Sequence, residues 1–298
     1  MAEKFILHFI SPLKHVSPFD ANMALDAGYD AVIPYEDVTL EEVTGLVQDV
    51  IFSRPPKLGV KSGIFFGGKN ALLALDMLEH AKKAMVPPFA ASLFADPAGS
   101  FTTAAAMVAR VEKLLQTHHG QSLAGLKVLI FGATGVVGFA SGVIAALQGA
   151  QVNLVGHDGL ERVSQAAAEI SKRFHVTVTA LDGSTEARKN ALVSDAQVIL
   201  CAGRAGVQIL SAVQIATAQE LLVAADVNAV PPAGIEGLDV MADGTPLGTG
   251  KALGLGALVI GQTKYRTEFG LFRRMIEAEK PVSLDFRDAF ALARELLG

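Results

Sequence analysis

The sequence predicts an α/β protein: an N-terminal α/β domain followed by a Rossmann-like, doubly wound parallel-sheet domain that binds a dinucleotide. Three observations carry this. Short apolar runs alternate with segments of helical spacing from Phe5 to Asn228, the rhythm of βαβ units. One such run, Val128–Phe131, passes directly into glycines spaced three apart, Gly132, Gly135 and Gly138, and then into a helix-compatible segment. Hydrophobic residues make up 51% of the 298 and the mean hydropathy is +0.40, yet no apolar stretch approaches the ~20 residues of a membrane span. That is the hydropathy of parallel strands buried on both faces.

In the first domain, Phe5–Ile10 reads as a strand, Pro18–Ala27 as a short helix ending at Gly28, and Ala31–Ile33 as a second strand. Leu40, Val43, Leu46, Val47 and Val50 fall at helical spacing and predict a helix to Ile51. Ser62–Phe66 is a third strand ending in Gly67-Gly68, and Ala71–Met85 is an amphipathic helix stopped by Pro87-Pro88. A fourth strand, Phe89–Phe94, runs into Asp96-Pro-Ala-Gly-Ser-Phe, after which Thr102-Thr103 opens the helix Ala104–Leu115. The polar stretch Gln116–Ser122 is the expected crossing, which places the domains at residues 1–122 and 123–264. Two further helices are expected at Ala252–Ala278 and Asp285–Leu297, so that 265–298 packs back onto the first domain.

The second domain repeats strand and helix: Val128–Phe131, the glycine turn, Gln151–Val155, Leu160–Phe174, Val176–Leu181, Thr185–Val193, Gln197–Ala202 and Leu221–Ala225. Glycine suits the turn for three reasons: the turn is tight, the backbone approaches a pyrophosphate, and the new helix packs hard on its strand. The Gly-x-x-Gly-x-x-Gly spacing departs from the Gly-x-Gly-x-x-Gly form and also fits a purely structural turn. Read as a cofactor site, the turn assigns Gly132, Thr134, Gly135, Val136, Val137 and Gly138 to the phosphates. Strand ends add Ala202 and Gly203, together with Asp226 and Asn228 on the nicotinamide side or as ordinary loop formers. About 20 positions past the glycines stand His157 and Asp158, with Arg162 one turn on. An acid there favours NAD and a cation favours NADP, so the expectation is NAD with NADP tolerated.

The composition excludes several classes. A net charge of −5 with no Lys/Arg-rich run gives no nucleic-acid footprint. One cysteine, Cys201, rules out an intrachain disulfide framework and suits a reducing cytoplasm. The histidines show no metal-ligand spacing, and the N-terminus lacks the layout of a secretory signal.

Taken together, Asp96-Pro-Ala-Gly-Ser-Phe-Thr-Thr-Ala-Ala-Ala106, Gly132-Ala-Thr-Gly-Val-Val-Gly138, Ser171-Lys-Arg-Phe-His-Val-Thr-Val-Thr-Ala180, Ala225-Asp-Val-Asn-Ala-Val-Pro-Pro-Ala-Gly-Ile235 and the Gly/Ala/Leu-rich stretch to Lys264 resemble the NAD(P)-dependent methylene-tetrahydromethanopterin dehydrogenases of methylotrophic bacteria. The resemblance implies oxidation of a pterin's methylene bridge to the methenyl form, with the pterin between the lobes and the hydride passing to NAD or NADP. It also implies a homo-oligomer, with a trimer as one form. The NADP-specific member has arginine where this chain has His157.

Hydride loss from a carbon flanked by two nitrogens leaves a resonance-stabilised cation, so the step needs positioning and dryness rather than proton transfer. Asp20, matched by an aspartate of the family, is the candidate carboxylate for that cation; the alternative is a first-turn acid offsetting its helix dipole. Lys264 matches a lysine of the family's active site and would bind the pterin's polar edge or bridge to Asp20; the alternative is a solvated surface lysine. Thr102 and Thr103 would hydrogen-bond substrate or cap their helix. Two other functions fit the same fold logic: a methylene-tetrahydrofolate dehydrogenase, with or without cyclohydrolase activity, and a dinucleotide-binding redox sensor without turnover.

Overall fold

The computed structural model describes residues 3–248 and 250–298. In chain order its elements are β1 Ile6–Ile10, α1 Pro18–Asp26, β2 Ala31–Tyr35, α2 Val43–Phe52, β3 Ser62–Phe66, α3 Ala71–Ala84, β4 Ser92–Ala95 and α4 Ser100–Leu114. There follow β5 Lys127–Phe131, α5 Val136–Leu147, β6 Gln151–Gly156, α6 Glu161–Phe174, β7 Val178–Asp182, α7 Glu186–Ser194, β8 Val198–Cys201, α8 Ala212–Thr217 and β9 Val223–Asp226. The chain closes with β10 Asp243–Pro246, β11 Leu253–Leu255, α9 Ala257–Glu277, β12 Ser283–Leu284 and α10 Phe286–Leu297. Two compact units result: Met1–Thr102 with Tyr265–Leu292, and Thr103–Lys264 with Ala293–Gly298.

The first unit holds a parallel sheet of order β12-β4-β3-β1-β2. Its centre reads as continuous apolar runs because both faces are covered. Every residue of β3 is buried, and Phe65 meets Phe9 edge-on at 4.7 Å between ring centroids and Phe94 at 5.2 Å. Phe272 of α9 completes the cluster 5.3 Å from Phe94. Each ring contributes roughly 1.5–3 kcal/mol by leaving water. The β1–α1 connection runs to β2 at one side and the β3–α3 connection to β4 at the other, so β1 and β3 flank the sheet's switch point.

The second unit holds seven strands in the order β10-β11-β9-β8-β5-β6-β7, parallel except for the β10–β11 pair. From β7 to β11 this is the doubly wound 3-2-1-4-5-6 order, with its switch point between β5 and β8. Arg110 of α4 ties the edge hairpin, donating to Asp243 at 2.9 Å and to the Thr263 hydroxyl at 2.8 Å.

Several boundaries differ from the sequence expectation. The division between units falls inside α4, at Thr102/Thr103, and not at 122/123. The crossing expected at Gln116–Ser122 begins as a π-helical turn, Leu115–His119, that extends α4 and closes at left-handed Gly120. The helix expected from Ala252 starts instead with strand β11, and β10 beside it carries the strand-averse sequence Asp-Gly-Thr-Pro. A proline is tolerated there because β10 is an edge strand. β4 starts at Ser92 rather than Phe89, since Phe89 forms a tight antiparallel bridge with Val86. α4 starts at Ser100, so Thr102 and Thr103 lie within its first turn.

Candidate functional site

In the second unit the carboxyl end of β5 meets the start of α5 at the sheet's switch point. Gly132 has φ +74°, and a Cβ there would lie 2.2 Å from the Ala202 carbonyl oxygen, so the strand end and the β8 loop touch backbone to backbone. A Cβ on Gly138 would lie 2.4 Å from the Gly132 oxygen, which is why α5 packs so closely on its strand. Gly135 differs: it is the N-cap of α5, and its nearest neighbour to an added Cβ is 3.3 Å away. Space is therefore left in front of the helix N-terminus, whose unpaired N–H groups and positive dipole end favour a phosphate. Each of the three glycines has a separate reason for lacking a side chain.

A cavity of about 480 Å³ opens beside this turn. Of the residues the sequence assigned to a cofactor, Gly132, Thr134, Gly135, His157, Ala202 and Gly203 line it. Val136, Val137 and Gly138 follow in the first turn of α5 and do not line it. His157 is exposed at the end of β6, its side chain 79% accessible and Nδ1 3.9 Å from Asp158. Arg162 donates to Asp158 at 3.1 Å. That bond holds the Asp158 carboxyl below its usual range, and the neighbouring His157 acts in the same direction. Asp158 and Arg162 thus answer one another, leaving His157 as the group at this strand end that lines the cavity.

The structure gives Asp226 and Asn228 the loop-forming task, the second of the two roles expected of them. Asp226 is buried; its Oδ1 accepts from the Asn228 N–H at 3.0 Å, and its Oδ2 accepts from Gly234 N–H at 2.6 Å and Ile235 N–H at 3.2 Å. Burial pushes this carboxyl up and the three amides pull it down, with burial the larger effect. Asn228 accepts from the Gly206 and Val230 amides and donates to the Pro232 carbonyl at 2.8 Å. Both side chains shape the 226–235 loop, and neither lines the cavity. Cys201, beside them, is fully buried, and burial holds its thiol well above the usual range.

Arg204, in the Gly203–Gly206 segment whose backbone was expected to pass under the cofactor or form a plain turn, also lines the cavity, and sequence reasoning missed Ser184, Glu186 and Lys189, which line it too. Lys189 pairs with Glu186 at 2.7 Å and donates to the Ile209 carbonyl at 3.0 Å, while Gln214 donates to Glu186 at 2.9 Å. The signal was present: all three follow the carboxyl end of β7, on the same edge of the parallel sheet as the glycine turn.

The expected substrate residues are divided between the units. In the first, Asp20 is buried in the first turn of α1, below the N-cap Ser17, whose hydroxyl accepts its N–H at 3.3 Å. Thr102 is fully buried, its hydroxyl donating to Asp96 at 2.5 Å and lying 3.1 Å from the Gly99 carbonyl. Asp96 also accepts from the Phe101 N–H at 2.7 Å. Asp96 thus supplies the capping that was the alternative to substrate contact for Thr102 and Thr103, and the buried Thr102 hydroxyl braces the Pro97–Gly99 turn. In the second unit Lys264 is buried in α9, and Thr103 is half-buried in α4.

A family profile described as "Methylene-tetrahydromethanopterin dehydrogenase, N-terminal" matches residues 18–98, from α1 to the turn after β4. The NAD(P)-dependent methylenetetrahydromethanopterin dehydrogenase of Methylorubrum extorquens is 56% identical over 293 residues, covering 98% of this chain and 99% of that one. The chain belongs to the methylene-tetrahydromethanopterin dehydrogenase family. A second relative from the same bacterium, the bifunctional protein MdtA, is 32% identical over 99% of this chain and all of its own. Among solved structures, the quinate dehydrogenase of Corynebacterium glutamicum in complex with NAD superposes with a TM-score of 0.55 at 13% identity, over 99% and 98% of the two chains. The NAD-dependent malic enzyme of Thermotoga maritima gives 0.59 at 13%, over 97% and 84%. These two likenesses show that the pterin dehydrogenase family shares its α/β fold with dehydrogenases of other substrates.

Among the described residues, no helix is long and apolar enough to cross a membrane.

Proposed function

We propose that this chain oxidises methylene-tetrahydromethanopterin to methenyl-tetrahydromethanopterin, passing a hydride to NAD+ or NADP+. The observation that carries the reading is the 56% identity, end to end, with a relative named for that reaction. The α5 turn supports the cofactor half independently, because Gly135 caps the N-terminus of α5 and, with Gly132 and Thr134, lines the cavity at the sheet's switch point.

When bound, the nicotinamide supplies the hydride acceptor. The chain's own work is then to bind, orient and exclude water. Backbone amides of Val136 to Gly138 would hold the pyrophosphate, the Gly135 N–H being bonded to the Gly132 carbonyl at 3.0 Å, and His157 would border the adenosine ribose. The C–H bond of the methylene carbon breaks with its electron pair, and the two flanking nitrogens share the resulting positive charge, so no side chain receives a proton. Positioning within about 3–3.5 Å supplies most of the acceleration. In this reading the Asp20 carboxylate stabilises the developing cation and Lys264 binds the pterin's polar edge. The reading extends to a cytoplasmic homo-oligomer, in keeping with a lone, buried cysteine.

The test is isotopic. With pterin carrying two deuterium atoms on the methylene carbon, mass spectrometry of the reduced nucleotide is expected to find one deuterium atom on the nicotinamide. Deuterium released only to solvent, or nucleotide left oxidised, would sink the proposal.

A further inference from the structure

The first unit has a switch point of its own, between β1 and β3, and a crevice of about 350 Å³ lies there. Its walls are the 11–17 loop after β1, the Gly68-Lys69 pair after β3, and Ala98 after β4. All three walls are built with effort. A Cβ on Gly67 would lie 2.6 Å from the Phe9 ring; Gly68 has φ +112°, and its Cβ would lie 3.1 Å from Pro12. Ala98 sits at φ +53°, a left-handed conformation that disfavours a residue with a side chain. The Asp96–Thr102 bond braces the turn that holds it there.

The lining is one-signed. It presents Lys14, His15 and Lys69, all exposed, and no carboxylate. Neither lysine has an ion pair among the described residues, and the backbone N–H groups of Lys14, His15, Gly68 and Lys69 bond no acceptor there. The carboxylate bonded to this loop, Glu36, accepts from the Val16 N–H at 3.3 Å and stays outside the lining. Two ammonium groups and several free amides around a cavity at the carboxyl edge of a parallel sheet form an anion receptor.

We propose that this crevice binds an oxyanion, carboxylate or phosphate, with Lys14 and Lys69 as its charge partners. The substrate's own side chain is the first source to test, which rests on the reaction proposed above; a free oxyanion acting as an effector is the second.

The experiment compares the full chain with Lys14→Ala/Lys69→Ala and with Lys14→Glu. Both lysines are exposed, so the variants are expected to keep the native circular dichroism. Two readouts are taken: steady-state kinetics in phosphate-free buffer, and calorimetric titration with inorganic phosphate. If the oxyanion belongs to the substrate, KM for the methylene pterin rises about tenfold or more in both variants, while kcat and KM for the nucleotide stay within about twofold. If it is free, pterin KM is unmoved but phosphate affinity falls about tenfold or more from the parent chain to the variants. Unmoved pterin KM together with phosphate binding that is absent, or equal in all three proteins, overturns the proposal. Should the parent chain turn over no pterin, the phosphate titration still decides on the crevice, and the failure then belongs to the reaction.

Discussion

Glycine 135 shows how one absent side chain can define a site. Gly132 and Gly138 are required by the protein itself, since a Cβ at either would overlap backbone; Gly135 has room for a Cβ with a shift of a few tenths of an ångström. Gly135→Val is therefore expected to fold and to lose nucleotide affinity by a factor of a hundred or more, measured by titration with NAD+ and NADP+, because the isopropyl group takes the pyrophosphate's place. Unchanged affinity would remove the cofactor site from this turn. His157→Arg adds a fixed cation at the end of β6 and is expected to shift the kcat/KM ratio toward NADP+ by about tenfold; a ratio that stays put would mean the ribose lies elsewhere. His8 offers a pH test. Burial, aided by the charge of Arg54, pushes its pKa from 6.5 down to about 4, with Nδ1 3.0 Å from the Tyr35 hydroxyl. The unfolded chain binds this proton first, so the neutral buried ring contributes stability that is full above pH 6.5 and is lost as pH falls toward 4. Denaturant melts should lose about 2–3 kcal/mol across that window. His8→Gln is expected to flatten that part of the profile, and a variant as steep as the parent would refute the assignment.

At the level of elements, the strands that carry the sites were legible because each is an apolar run ended by glycine or a polar residue. The glycine turn was legible for the same reason, and its three positions do three separate jobs. What was hidden depends on distant partners. Nothing local distinguishes Asp226 from a ligand-facing acid; its tie to Gly234 and Ile235 is made eight and nine residues later. β10, with glycine and proline in four residues, is a strand only because β11 pairs with it at the sheet edge. Thr102 reads as a cap or a substrate contact, whereas the fold assigns the capping to Asp96. Thr102→Val keeps the shape and removes the donor, leaving a buried carboxylate short of one partner. The expected cost is about 2 kcal/mol, or roughly 4–8 °C in Tm. Thr102→Ser should recover most of it. A Val variant that melts with the parent would show that the brace carries no load.

For the molecule as a whole, the sequence pattern predicted two α/β domains, and the strand order shows one sheet in each unit, parallel but for the β10–β11 pair of the second, with a switch point at its carboxyl edge. The first is flanked by lysines and the second by a glycine turn. Their division inside α4, rather than in the polar stretch after it, was illegible because a helix that continues from one unit into the next carries no linker signature. The substrate was equally beyond periodicity and composition, and came from resemblance in segments remote from the glycine turn. The most direct measurement is therefore a four-way assay of the purified protein, with methylene-tetrahydromethanopterin or methylene-tetrahydrofolate as donor and NAD+ or NADP+ as acceptor. Methenyl formation from the methanopterin is expected with both nucleotides, at a kcat/KM at least a hundredfold above that for the folate. Turnover of the folate alone, or tight nucleotide binding with no hydride transfer from either pterin, would contradict it.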